Sequence, residues 1–321
     1  MPTKQNASPI EGHVVGQFFT LYEGVPKEQY EKIVAAAPFD KCNLLILAFV
    51  RTFAFVRGEE DGGTIWVAQF ANGRVDGNQK PYPLDPNDTD GDRVKLIVET
   101  ARKKNPSINV IISLGWGAND VGNAASSPVA FADSVRALVQ AYDLNGFDID
   151  FEPPIDVEPT AMLTLAKAIR RSLDKIASNR PMIMTITPAQ EDGLDRHVLE
   201  AFTYVLPQTY AHGGMETAAD WFANQLGSDY SRIVFGLNSE SDPTDPNSLP
   251  DDPKEFAKQV TSNNAAGMFA WLLNGDSPDR NGLPTFADAT EMWELMRRPF
   301  GENKEIAGLV IGRPSQALDY Q

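Results

Sequence analysis

The stretch Leu144–Pro154, "LNGFDIDFEPP", sets Asp148, Asp150 and Glu152 on alternate positions, separated by Ile149 and Phe151. Side chains two apart on a β-strand share a face. Read as a strand, the segment carries three acids on one side and Phe147, Ile149 and Phe151 on the other. The apolar set must meet a layer of helices, so the acids point into the opposite space, with Glu152 at the C-terminal end of the strand. Three buried acids cannot all stay ionised, because burial and like charge both disfavour a further anion. At least one carboxyl is expected to keep its proton near neutral pH, the state that a general acid needs. The bland alternative is a strand whose acids are met by Arg, Lys or backbone amides, which leaves three costly groups facing a core without chemical purpose.

Short apolar runs like this one recur along the chain, at 13–19, 42–50, 109–117, 146–152, 181–189, 204–210, 232–238 and 266–274. They are rich in Val, Ile, Phe and Leu and mostly end at Gly, Pro or Asn, as buried parallel strands do. Between them lie amphipathic stretches such as "PKEQYEKIVAAA", "GDRVKLIVETARKK", "PVAFADSVRALVQAY" and "EPTAMLTLAKAIRRSLDKIAS", with weaker ones near 193–203, 216–226, 253–262 and 285–297. Apolar residues there recur three and four apart. Eight strand candidates, each followed by a helix candidate, predict an α/β fold: a single-domain (β/α)8 TIM barrel over residues 1–321. The residues from about 302 to 321 read as a C-terminal tail packed outside it. Two long stretches, 51–90 and 238–252, follow strands and should form loops at the C-terminal mouth, where barrel active sites are built. The acidic "DPNDTDGD" at 85–92 lacks the later bidentate Glu of a calcium loop and reads as a solvated loop.

The 321 residues carry a formal net charge of −16, which repels phosphate backbones and anionic membrane surfaces. Nucleic acid and membrane are therefore not expected as partners, and a monomer is expected. The one cysteine, Cys42, lies in the apolar run "CNLLILAFV" and reads as an inert core thiol. The N-terminus lacks a basic segment followed by an apolar one, so a cytoplasmic protein is expected; an extracellular one stays open if a leader has been trimmed. No His, Cys and Asp set has zinc spacing, and no metal or cofactor is expected.

The segment "NGFDIDFE" resembles the fourth barrel strand of family 18 glycoside hydrolases, the chitinases and endo-β-N-acetylglucosaminidases, whose pattern is D-G-x-D-x-D-x-E. It falls on the fourth strand of the count above. "IISLGWG" resembles the family's S-x-G-G strand, with Ser113 and Gly115 in place and Trp116 for the second Gly. Ala48–Phe49 resembles the end of its second strand, "TITPA" and "RIVFGLN" its fifth and seventh, Gln208 and Tyr210 its sixth-strand tyrosine motif, and "GMFAWLLN" its eighth, with Trp271. The resemblance implies a retaining, substrate-assisted mechanism, an exception to the scheme of two enzyme carboxylates. In it Glu152 protonates the glycosidic oxygen and the substrate's own 2-acetamido oxygen attacks the anomeric carbon. Asp150 holds the acetamido N–H, with Asp148 behind it sharing a proton. Tyr210 hydrogen-bonds the acetamido group and Trp271 forms the floor under the sugar. Gln208, Phe49, Trp116 and Ser113 are implied as further substrate-binding positions.

Asn145 stands where the family usually has its first Asp, Ala211 follows Tyr210 where Asp or Asn is common, and Phe151 and Pro153 replace the common aromatic pair around the Glu. These departures bear on the substrate more than on the reaction type. Trp66 and Trp116 suit sugar stacking and packing equally, and His212 reads as a surface residue. The implied partner is an oligosaccharide containing N-acetylglucosamine, from chitin or an N-glycan core. Two other readings stay open: a silent barrel that binds glycan or protein, and a barrel recruited to small-molecule metabolism in the cytoplasm.

Overall fold

The computed structural model describes residues 9–56, 63–75, 80–115, 117, 119–153, 155–210, 215–240, 251–275 and 284–297. The strands are β1 (Val14–Thr20), β2 (Leu44–Val56), β3 (Thr64–Phe70), β4 (Asn109–Leu114), β5 (Gly146–Phe151), β6 (Ile183–Pro188), β7 (Tyr204–Val205), β8 (Val234–Asn238) and β9 (Gly267–Trp271). The helices are α1 (Lys27–Ala36), α2 (Asp90–Lys104), α3 (Asp120–Ser126), α4 (Pro128–Ala141), α5 (Pro159–Leu173), α6 (Arg196–Leu199), α7 (Met215–Gln225), α8 (Pro253–Asn263) and α9 (Ala287–Met296). Eight parallel strands run in the order β7-β6-β5-β4-β2-β1-β9-β8. A parallel bridge between Val205 and Ile233, in which the Val205 N–H donates to Arg232 O at 2.9 Å, joins the two ends. The expected (β/α)8 barrel is borne out.

Alternation along each strand divides the apolar residues into two layers. Val14, Phe18, Leu44, Ile46, Ile111, Ile183, Tyr204, Val234 and Phe269 fill the barrel interior. Phe147, Ile149 and Phe151 of β5 lie in the outer layer, under the helices. The Phe131 ring of α4 meets the Phe147 ring edge-on at 6.0 Å. Helix α5 buries Met162, Leu165, Ala166, Ile169 and Leu173 at helical spacing, which seats it on the same layer. Burial of each of the Met, Leu and Ile side chains contributes about 1.5–3 kcal/mol.

Three local expectations are corrected. The "YVLPQTY" run keeps only Tyr204–Val205 as strand, because Pro207 has no N–H for the ladder. The segment nevertheless follows β6, with the Leu206 N–H bonded to Ile186 O at 2.8 Å and the Gln208 N–H to Pro188 O at 2.9 Å. Residues 51–56 and 64–70 form an antiparallel hairpin of β2 and β3 rather than an open loop. The hairpin is tied down where the Ala68 N–H donates to Ser134 Oγ of α4 at 2.8 Å.

The acidic segment 85–92 is solvated only in part: residues 85–87 and Asp92 are exposed. Asp88 and Asp90 are buried, Asp88 against Arg93 at 2.6 Å and Asp90 against Arg74. Thr89 and Asp92 form the capping box of α2. Arg93, five residues on in α2, and Arg74, sixteen residues before Asp90, supply the charges that make this burial tolerable. Helix α3 was not expected; its seven residues, "DVGNAAS", are too few and too small to show a helical period. Cys42 is buried as expected, and burial pushes its thiol up. The tail from 302 lies outside the described residues.

Candidate active site

Strand β5 carries its acids in a line from the barrel interior to the mouth. Asp148 is fully buried, Asp150 is 9% exposed, and Glu152, just past the end of the strand, is exposed. The expectation of three buried acids is therefore corrected to two, because the chain leaves the sheet at Phe151.

Three hydroxyls meet Asp148. Ser113 Oγ of β4 donates to its Oδ2 at 2.6 Å, and Thr185 and Thr187 of β6 donate to its Oδ1 at 2.6 and 3.0 Å. Burial pushes its carboxyl up and these hydrogen bonds pull it down. Ser113 thus touches Asp148 at the bottom of the site. Asp150 has fewer compensations. Burial, then the Glu152 and Asp148 charges, push its carboxyl well above the aspartate range, against the pull of one hydrogen bond from Gln208. The expected strongly raised carboxyl is Asp150. The Gln208 amide nitrogen lies 2.9 Å from Asp150 Oδ1 and 2.7 Å from Glu152 Oε1. Gln208 therefore bridges two acids across β5, β6 and the segment after β7.

Gly115, just after β4, makes room for this arrangement. A Cβ there would lie 2.8 Å from Asp150 Oδ2 and 2.8 Å from the Phe49 ring. Phe49 is stacked between two other rings, Tyr22 at 6.3 Å and Trp271 at 5.9 Å, with interplanar angles of 12° and 20°. Trp271 also meets Phe18 at 5.4 Å, and its Nε1–H donates to Glu240 Oε2 at 3.2 Å. Tyr22, Tyr210 and Trp271 are partly buried and close the top of the inner core. The Tyr210 phenol is pushed well up, first by burial, then by the charges of Asp150 and Glu152.

Tyr22, Glu23, Ser239 and Glu240 join the site without having been singled out in the sequence. Each follows β1 or β8 directly, and position just past a barrel strand is the signal that could have found them. Ser239 is buried and holds the chain after Trp271. It donates its N–H to Trp271 O at 2.6 Å and accepts the Leu272 N–H at 2.8 Å. Burial pushes the Glu23 carboxyl up, against a hydrogen bond from Thr20, and Glu240 pushes it further. Asn145 sits at the other end of β5, where its Oδ1 accepts the Val110 N–H at 3.1 Å and a hydrogen bond from Arg102. That is a structural place, away from the mouth. Trp66 pairs with Ala54 on the hairpin. Trp116, Ala211 and His212 lie outside the described residues. Among the described residues no group of three or more His, Cys, Asp or Glu is placed to hold a metal ion.

The arrangement offers an exposed carboxylic acid, a neighbouring acid that resists ionisation, and an aromatic wall. Among curated proteins the chain is similar to Chitinase 1 of Aphanocladium album, 25% identical over 217 residues. That match covers 62% of this chain and 45% of that enzyme, so the chain spans about half the length of this relative. Its fold is similar to that of chitinase ChiW from Paenibacillus sp. str. FPU-7, with a TM-score of 0.65 and 16% identity over 90% of this chain and 43% of that one. It is also similar to the fold of the chitinase-like agglutinin RobpsCRA from Robinia pseudoacacia, with a TM-score of 0.59 and 14% identity over 87% of this chain and 99% of the agglutinin. Residues 15–248 match the model described as Glycosyl hydrolases family 18, and with the barrel and its acid-lined mouth in place, the chain belongs to that family.

Proposed function

We propose that this protein is a retaining glycoside hydrolase that cleaves β-1,4 bonds next to N-acetylglucosamine, in chitooligosaccharides or an N-glycan core. One observation carries the reading: Asp150 and Glu152 are joined by Gln208 beside the stacked rings of Tyr22, Phe49 and Trp271. Glu152, exposed at the mouth, delivers a proton to the leaving oxygen. Asp150 receives the substrate's acetamido N–H and so turns the acetamido oxygen toward the anomeric carbon. Attack by that oxygen breaks the C–O bond and forms an oxazolinium ion. Water then opens this ion at the anomeric carbon, giving up its proton to Glu152. Asp148, held by three hydroxyls, lies two residues below Asp150 on β5 and pushes its carboxyl up. Tyr210 hydrogen-bonds the acetamido group, and the apolar face of the sugar rests on Trp271.

The reading is tested by incubation with chitooligosaccharides and with a high-mannose glycopeptide, followed by mass spectrometry and by NMR of the first-formed anomer. The expected result is cleavage of at least one of them with β-anomer first. Initial α-anomer would rule out retention. Binding without turnover on every acetamido glycan would replace the hydrolase by a glycan-binding barrel.

A further inference from the structure

A primary amide nitrogen carries two hydrogens. In Gln208 that nitrogen has Glu152 Oε1 at 2.7 Å and Asp150 Oδ1 at 2.9 Å, with the Thr187 carbonyl farther off at 3.5 Å. Both hydrogens are therefore directed at the acids, and the amide nitrogen has none left for a sugar. The arm that holds it is rigid. Gln208 is 5% exposed, and its own N–H is bonded to Pro188 O at 2.9 Å. The next residue, Thr209, donates its hydroxyl to Gly236 O of β8 at 2.5 Å. An oxygen that already accepts an amide hydrogen is the poorer place for a carboxyl proton.

We propose that Gln208 is a positioning residue for the acid pair rather than a sugar contact: it pins Asp150 Oδ1 and Glu152 Oε1 with one nitrogen and so reserves Glu152 Oε2 for the proton that reaches the substrate. The proposal rests on the hydrolase reading above and deepens it. The other ionisable groups that act on this site are Asp148 below, Tyr22 and Glu23 after β1, Tyr210 after β7, and Glu240 and Asp251 beyond β8. Arg93 acts on Glu23 from α2. None of them is altered by a change at Gln208.

The test uses Gln208→Met and Gln208→Leu, both of which remove the donor without adding a charge beside the acids. Steady-state kinetics across pH on a chitooligosaccharide give kcat and KM. Titration of the Asp150 side-chain carboxyl by carbon-13 NMR, with no substrate present, gives a second readout. A hydrogen bond to the ionised form favours that form, so its loss shifts titration upward. In both variants the pH optimum and the Asp150 titration are expected to move up by roughly one pH unit, the scale of one lost hydrogen bond to a charged group. The kcat is expected to fall by about 10- to 100-fold from misplaced acids, with KM nearly unchanged. A raised KM with an unmoved pH profile would overturn the proposal and make Gln208 a sugar contact. If the wild type turns over no acetamido glycan, the hydrolase reading fails by itself. The Asp150 titration then decides this proposal alone: a rise supports it and no change overturns it. Should Gln208→Met fail to fold, Gln208→Leu carries the test.

Discussion

Gly115 and Asp150 approach each other so closely that a Cβ on Gly115 would lie 2.8 Å from Asp150 Oδ2. The same atom would meet the Phe49 ring at 2.8 Å. Gly115→Ala is expected to displace both, at an overpacking cost of about 1–3 kcal/mol. Denaturant unfolding should show that loss, and kcat/KM on a chitooligosaccharide should fall by more than the stability change explains. Unchanged turnover would mean that Asp150 works equally well from a displaced position.

Glu152→Gln should leave the fold and glycan binding in place and remove hydrolysis. The amide nearly matches the carboxyl in shape but supplies no proton, and general acid help contributes about 10²–10⁴-fold in rate. Turnover at the wild-type rate with normal folding would show that Glu152 is not the acid.

Asp150→Asn should trade activity for stability. Burial and the neighbouring charges push the Asp150 carboxyl well up in the folded chain. A group whose folded titration lies above its unfolded one, about 3.9 for aspartate, contributes stability below the unfolded value and loses it as pH rises toward the folded one. Asparagine has no such dependence. The variant should therefore gain in melting temperature over the wild type as pH rises from 4 toward 8. Calorimetry across that range checks this, and a gain that shrinks with rising pH would contradict it. Turnover of substrates with a 2-acetamido group should fall in the same variant.

Trp271 is wedged against Phe49 and Phe18, and its indole N–H is bonded to Glu240. If this ring is the floor of the cleavage point, Trp271→Ala should weaken turnover and inhibition by a thiazoline analogue of N-acetylglucosamine together. Ligands that resemble the reaction's intermediate bind more tightly than substrate, so the analogue reports on the same pocket. Inhibition that survives the substitution while turnover falls would assign the ring to another subsite.

Arg93 is buried under the mouth, 2.6 Å from Asp88, over the Tyr30 ring, and bonded to the carbonyls of Leu21 and Glu23 at 2.8 Å. Removing one partner of a buried pair leaves the other charge uncompensated, at a cost of about 3–5 kcal/mol. Arg93→Met should lose that much in urea unfolding, and Arg93→Met with Asp88→Leu should recover part of it. No recovery in the double variant would mean that the carbonyl bonds, not the ion pair, hold the loop that carries Tyr22 and Glu23.

The alternation in "GFDIDF" was legible in the sequence because a strand sorts its side chains by a local rule, one face against the next. That rule alone put Phe147, Ile149 and Phe151 outside and Asp148 and Asp150 inside, and the repeated strand and helix patterns predicted the barrel. The tertiary structure decided which partners the acids meet. Ser113, Thr185, Thr187 and Gln208 reach β5 from neighbouring strands and segments, and although Ser113 and Gln208 stand out in the sequence, their pairing with the acids is hidden from any local pattern by distance along the chain. Closure of the barrel likewise stacks Tyr22, which follows β1, Phe49, within β2, and Trp271, which ends β9. Folding also brings Arg74, sixteen residues away, to Asp90, in a segment that reads as a solvated loop. Local periodicity fixes the side of the sheet on which a residue lies, whereas pairing of charges, hydroxyls and rings depends on which strands the closed barrel makes adjacent.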